Sequence, residues 1–369
     1  MNSPESNVQY GCLFSTNHDI EAISCIKFDP YQNLLWYGTI KGRVASILPL
    51  EDTKYTAFPV FKEIIRSIEV VEDYVLSVSK DTFAIHSRGG APYNYIKTSN
   101  MTDIQCSHIY KNNNSHVLLR ASPKSFCTID LEQQKEIRVV WDKKKDDCSK
   151  IKESNDFIFT CDNKGAISLR DKQSLDVITD LMAHKGCVND FDINGNKLMS
   201  CGYTWNYKGF RQDMFLKVFD LRTLRPLPVI NTNFPPTYCR FLSSISEDSF
   251  IYVSQNRQVA FSKLSTPTIQ NDFFIDQESN PITCIDICPT EECIAFGDNV
   301  GTINLLTNSE SPVCNLFNYE PHFADPVENY PPISFFNTNV PLNVIPSFPL
   351  QHDQMASYWP PQFCSPAIR

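Results

Sequence analysis

The chain has 369 residues, 42% hydrophobic and 12% aromatic, enough to bury a sizeable core in one large domain or two ordinary ones. Its formal net charge of −9 argues against a broad cationic face for DNA or RNA. The polar start, Met1 to Tyr10, has no apolar signal region, and no run approaches the roughly 18 apolar residues of a membrane span. The fourteen cysteines therefore read as reduced thiols, mostly buried in strands, of a cytosolic or nuclear protein.

In chain order, Tyr10 to Phe14 reads as a strand able to complete the last unit of a ring. From Ile23 onward, short alternating strands are separated by turn residues, with almost no helical periodicity to compete. Three turns echo one another: TIKGRVASI (Thr39 to Ile47), DNKGAISLRD (Asp162 to Asp171) and DNVGTINLL (Asp298 to Leu306). Each places a Gly where a tight hairpin needs positive φ. In the second and third, an Asp three residues earlier can accept from the turn amides. Gly42 and Gly165 lie about three periods of ~41 residues apart, the repeat of a propeller blade. With only 12 Gly in the chain, Asn and Asp must hold many of the other turns.

Between these anchors come Ser67–Val71, Tyr74–Ser79 and Thr82–His86, then Gln105–Tyr110, His116–Ala121 and Ser125–Ile129. Asp156–Cys161 belongs to a fourth unit. The fifth holds Val188–Ile193, Lys197–Cys201 and Met214–Asp220, the sixth Cys239–Phe241, Phe250–Ser254 and Val259–Lys263. The seventh holds Ile282–Cys288, Glu292–Gly297 and Thr302–Thr307. The fifth unit carries the clearest signature of a WD-repeat blade: Ala183-His184 upstream and an apolar strand ending in Phe219-Asp220. His184 and Asp213 are expected to form a structural hydrogen-bonded pair. Between Tyr203 and Gln212 a polar insert, read as a loop, carries Trp205, Tyr207 and Phe210 beside Lys208 and Arg211. Such residues are interface anchors when exposed. The fold expected is all-β, a seven-bladed WD-repeat propeller over residues 1–309.

From Glu310 onward the composition changes: eleven Pro, five acidic residues, one Arg and no Lys. Residues 310–369 are expected to be an extended Pro- and aromatic-rich linker that docks. Tests for chemistry fail. Lys143-Lys144-Lys145 is followed at once by Asp146-Asp147 and reads as a solvated loop. Asp276 and Glu278 match the first motif of two-metal exonucleases, but the later Asp, and the His four residues before a final Asp, that such enzymes need do not follow. Cys284, Cys288 and Cys293 lack a second ligand pair with zinc spacing. No phosphate-binding, nucleotide or hydrolase motif is present. No catalytic residue, cofactor or metal is expected.

Three segments carry a family resemblance: Ser200 to Ile230 with its Leu-Arg-x-Leu-Arg-Pro-Leu-Pro run, Ile294 to Pro312, and Tyr330 to Pro346. In this order they resemble the N-terminal WD-repeat region of the catalytic subunit of the poly(A)-nuclease (PAN) deadenylase. The resemblance implies a non-catalytic scaffold in a cytoplasmic messenger-deadenylation complex, with P-bodies among its locations. It implies a pseudokinase subunit as partner and indirect contact with poly(A)-binding protein on poly(A) messenger. It also implies that the tail begins the pseudokinase-binding region, through Pro331, Pro332, Phe335, Phe336, Pro341, Leu342, Ile345 and Trp359. The family's nuclease residues have no counterparts in this sequence, which ends early in the linker. A WD-repeat adaptor of an unrelated complex is the alternative.

Overall fold

The computed structural model describes residues 11–17, 21–51, 53–111, 113–122, 125–142, 148–154, 157–207, 209–266, 271–275, 280–309, 312–315 and 317. All thirty elements among them are strands, and they form seven antiparallel sheets. Six sheets are consecutive in sequence: blade 1 (23–59), blade 2 (67–96), blade 3 (102–141), blade 4 (148–182), blade 5 (188–231) and blade 6 (238–274). Blade 7 combines three strands between Ile282 and Thr307 with Gly11–Asn17, which pairs antiparallel with Thr302–Thr307 as its outer strand. The N-terminal segment thus closes the ring, as the strand reading of Tyr10 to Phe14 anticipated, and caps an edge that would otherwise be open.

Burial explains why the sequence reads as it does. Middle strands are sandwiched between neighbouring blades, so Leu35–Thr39, Ser125–Asp130, Cys293–Asp298 and Thr302–Thr307 are buried at every position. The outer strand Lys135–Trp141 has solvent on one side and buries none. The buried apolar residues fall into seven clusters, one at each seam between blades. Stability is therefore built between sheets, and no blade owns a core of its own.

The repeated turns take the form expected. Gly42, Gly165 and Gly301 have φ of +83°, +87° and +106°. Asp298 Oδ1 accepts from the amides of Val300, Gly301 and Thr302 at 2.8–2.9 Å. Asp162 Oδ1 does the same for Lys164 (3.0 Å) and Ala166 (2.7 Å). Gly165 also lets the chain turn into the next blade: its carbonyl accepts from Ala183 and His184. A Cβ there would lie 2.1 Å from the His184 oxygen.

One expectation fails. The insert between Tyr203 and Gln212 is not a loop. The strand Lys197–Asn206 runs on through it and pairs with Gly209–Gln212 as a two-stranded hairpin standing out from blade 5. Its alternation of Tyr203, Trp205 and Tyr207 is a strand pattern, and Gly209 at φ +106° accommodates the reversal.

Candidate docking face

Each blade's first strand lies innermost, so seven such strands surround the axis. Antiparallel order fixes the two faces. One carries the crossovers from blade to blade and the turns between second and third strands; the other carries the remaining turns. Each face opens into a depression.

The depression on the face away from the crossovers has a volume of about 940 Å³. The inner strand of every blade contributes one ionisable side chain to it, Lys27, Glu69, His108, Lys152, Asp192, Arg240 and Asp286, and Lys111 and Glu291 from the turns also line it. The sequence alone did not announce this ring: the ring residues recur about every 40–48 positions, but inner strands such as Cys148–Glu153 and Val188–Asn194 carry further charges that hide the repeat. The ring is charge-balanced and paired across seams. Lys27 meets Glu69 at 3.6 Å and Lys152 meets Asp192 at 2.6 Å. His108 Nε2 lies 3.0 Å from Glu153. Asp286 accepts from the Phe28 amide and Asp192 from the Phe241 amide, both at 2.8 Å. Charges already engaged in this way fasten blades together and leave little field for a ligand.

The crossover-side depression, about 540 Å³, is lined by Ser24, Arg66, Gln105, Ser149, Cys187 and Asn189 among others. Its residues also bridge seams. The Gln105 side chain accepts from the Cys148 amide (2.8 Å), and Asn189 Nδ2 donates to the Thr237 carbonyl (2.5 Å). Cys106 and Cys148 face each other across one seam with sulfurs 3.9 Å apart. Burial pushes the Cys25 and Cys284 thiols up, Cys284 to about 12, so they are poor thiolate ligands. Among the described residues no group of three or more His, Cys, Asp or Glu is placed to hold a metal ion.

His184 and Asp213 lie at the foot of the blade 5 hairpin. His184 Nδ1 is 2.6 Å from Asp213 Oδ2, and its Nε2 is 3.2 Å from Ser200 Oγ. Thr204 donates to the other Asp213 oxygen at 2.6 Å, and the imidazole stacks on Phe215 with centroids 5.8 Å apart. His184 and Asp213 are buried. The network ties together the crossover from blade 4, the second strand and the hairpin, and none of its residues lines either axial depression.

Above this network the hairpin presents Trp205, Tyr207 and Phe210, all exposed. Trp205 and Phe210 are cross-strand partners and meet edge to face at 4.6 Å. Lys208 lies outside the described residues. Ile40, Ile64, Trp141, Met182, Phe274 and Val300 are also exposed on the crossover face, making it the more apolar of the two and the better docking surface.

Beyond Ser309 the chain stays attached for a few residues. The Val313 amide donates to Glu292 at 2.9 Å, Cys314 and Asn315 are buried, and Phe317 stacks on Tyr31 with centroids 6.3 Å apart. Pro331, Pro332, Phe335, Phe336, Pro341, Leu342, Ile345 and Trp359 lie outside the described residues, as do Asp276, Glu278 and the Lys143-Lys144-Lys145 run.

Comparison with known proteins follows the same ring. A family model described as PAN2 N-terminal matches residues 8–307. The mouse and human PAN2-PAN3 deadenylation complex catalytic subunits are each 28% identical over 367 residues, covering 97% of this chain and 30% of the relative. The PolyA-specific ribonuclease subunit panl-2 of Caenorhabditis elegans is 27% identical over 354 residues, 92% of this chain and 31% of that one. The chain thus spans about 30% of the length of these relatives. The Neurospora crassa Pan2 WD40 domain superposes with a TM-score of 0.74 at 21% identity, over 83% of this chain and 97% of that one.

Proposed function

Because the chain belongs to the PAN2 N-terminal family, we propose that it is the non-catalytic scaffold region of a poly(A)-specific exoribonuclease that shortens messenger tails. In this reading the propeller docks the assembly, in the cytoplasm and in P-bodies, onto tails coated by poly(A)-binding protein. It leaves hydrolysis to parts of a longer subunit that this sequence does not include. The PAN2-PAN3 names of the mouse and human relatives supply the partner, a PAN3-type pseudokinase subunit. We place its contact in residues 310–369, through Pro331, Pro332, Phe335, Phe336, Pro341, Leu342, Ile345 and Trp359. A proline-stiffened, aromatic segment loses less entropy on docking than a flexible chain does.

The observation that carries the proposal is the match of the family model over residues 8–307, the span of the whole ring. The arrangement of the ring supports it: the axial ionisable groups fasten seams, and large aromatic side chains such as Trp205, Tyr207, Phe210 and Trp141 stand exposed on the crossover face. The test is a pull-down of the PAN3-type subunit with the full chain and with a chain ending at Ser309. Capture should be lost on truncation. Equal capture by both would remove the tail from the mechanism. Co-purification with a set free of messenger-decay proteins would favour the unrelated-adaptor reading.

A further inference from the structure

We infer that the blade 5 hairpin is the anchor for an acidic, apolar protein segment, which closes over Trp205 and Phe210 and places carboxylates against Arg211 and Lys185. This rests on the reading of the propeller as a docking platform, and it names the chemistry of one partner.

The hairpin leaves Trp205 59%, Tyr207 93% and Phe210 63% exposed. Each large aromatic ring left in water forgoes burial worth about 25 cal/mol per Å². Three on one short hairpin mark a surface that is covered in use. The ring pair is also held ready. Thr204 is fastened to Asp213, the Gln212 amide donates to the Pro236 carbonyl (2.9 Å) and Thr237 Oγ1 (3.0 Å), and the Tyr203 amide donates to the Cys187 carbonyl (2.8 Å). A knob fixed before binding loses little entropy when a partner takes it.

Cations lie on the hairpin and in the segments at its foot. Arg211 sits opposite Thr204 and so projects from the face opposite the ring pair. Lys185 is exposed in the crossover beneath. Its neighbour Gly186 is pressed so closely to the hairpin that a Cβ there would lie 2.5 Å from the Tyr203 oxygen and 3.2 Å from the Trp205 nitrogen. Lys217 reaches the carbonyl of Met182 at 3.0 Å, and the Met182 side chain is 62% exposed. Among the described residues none of Lys185, Arg211 and Lys217 pairs with a carboxylate, and the insert Tyr203 to Gln212 contains no Asp or Glu. Uncompensated positive charge in a chain of net charge −9 selects a partner of opposite sign and speeds its encounter.

The composition favours a protein over a nucleic acid. Trp, Tyr, Phe, Met and Arg around an apolar centre is the make-up of a protein interface. Single-stranded nucleic acid is tracked by a cationic groove, whereas Arg211 stands on a projecting hairpin and Lys185 in the crossover beneath it.

The test pans the full chain against a random short-peptide display library, with a Trp205→Ala/Phe210→Ala variant for counter-selection. An oligo(A) RNA is titrated in parallel. Recovered peptides should carry more Asp and Glu than Lys and Arg, with at least one aromatic or leucine. A synthetic recovered peptide should bind the double variant about tenfold or more weakly. Lys185→Glu/Arg211→Glu should weaken it too, and replacing the peptide's acids by lysine should restore binding to that variant. These side chains are exposed, so the variants should melt with the parent. Failure to recover peptides, neutral or basic peptides, or peptides indifferent to the hairpin variants would overturn the inference. So would oligo(A) binding that depends on Trp205 and Phe210. The tail pull-down is independent of all these outcomes, so a failure here leaves the platform reading standing, and the reverse also holds.

Discussion

His86 shows how one side chain can carry a pH response without taking part in any site. It is buried in blade 2, stacked on Phe58 with centroids 5.2 Å apart, and its Nε2 lies 3.0 Å from the Tyr95 hydroxyl. Burial with no carboxylate partner lowers its pKa from 6.5 to about 4. Between those values the unfolded chain binds the proton and the folded chain does not. Stability is therefore full above about pH 6.5 and is lost as pH falls toward 4, by about 2 kcal/mol at pH 5. Urea unfolding of the parent and of His86→Phe between pH 7 and 5 should show a flatter pH dependence in the variant; equal slopes would mean that the imidazole is solvated. Nothing local announces this role, because a lone His in an alternating strand reads the same whether or not water reaches it. Asp162 and Asp298, by contrast, were legible: an Asp three residues before a turn glycine has one local job, and nothing distant alters it.

Strands were legible where their burial repeats. Thr302–Thr307 was placed to the residue, and the other strands named in blades 2 to 7 to within a few positions, whereas the exposed outer strands such as Lys135–Trp141 and Val177–Met182 were not placed. The hairpin was misread because its Trp, Tyr and Phe alternate with polar residues over a stretch with no partner strand predicted, and composition outweighed period. The closing strand Gly11–Asn17 gives this level its test. It pairs with Thr302–Thr307 through six registered positions, and removing residues 1–17 would bare that edge. A bared, fully buried strand is a template for a second chain. The shortened protein should melt about 5–10 °C lower and associate with rising concentration, read by thermal unfolding and size-exclusion chromatography with light scattering. An unchanged melt and a monomer at all concentrations would mean that the closure adds nothing.

The ring as an assembly depends on charges that sequence reading could only count. Propeller period and apolar alternation made the seven blades legible, but pairs such as Asp29–Arg88 and Arg257–Asp298 join residues 41 or more positions apart, and no local pattern announces them. Asp190 is the clearest case. From blade 5 it meets Lys150 of blade 4 at 2.7 Å, pairs with Arg240 of blade 6 and accepts from the Cys239 amide at 3.2 Å. Burial alone would raise its pKa, but Arg240, Lys150 and Lys152 outweigh it and hold the carboxyl well below the ordinary range. Glu153 behaves alike at the neighbouring seam: burial opposes the charge, yet the bonds from His108, Lys172 and the Lys111 amide bring its pKa to about 2. Folded-state values below unfolded ones stabilise the ring above about pH 4, and that stabilisation is lost as pH falls toward 2. Asp190→Asn should therefore cost about 2–3 kcal/mol at neutral pH, because the partly buried Arg240 and Lys150 lose their counter-charge, and it should flatten the acid limb of the stability curve. Urea unfolding of Asp190→Asn, Arg240→Met and the double variant separates the pair from its surroundings. If the seam is one coupled unit, the double variant loses less than the two single variants together, by more than about 1 kcal/mol. Strict additivity would mean that the blades are held by their apolar clusters alone.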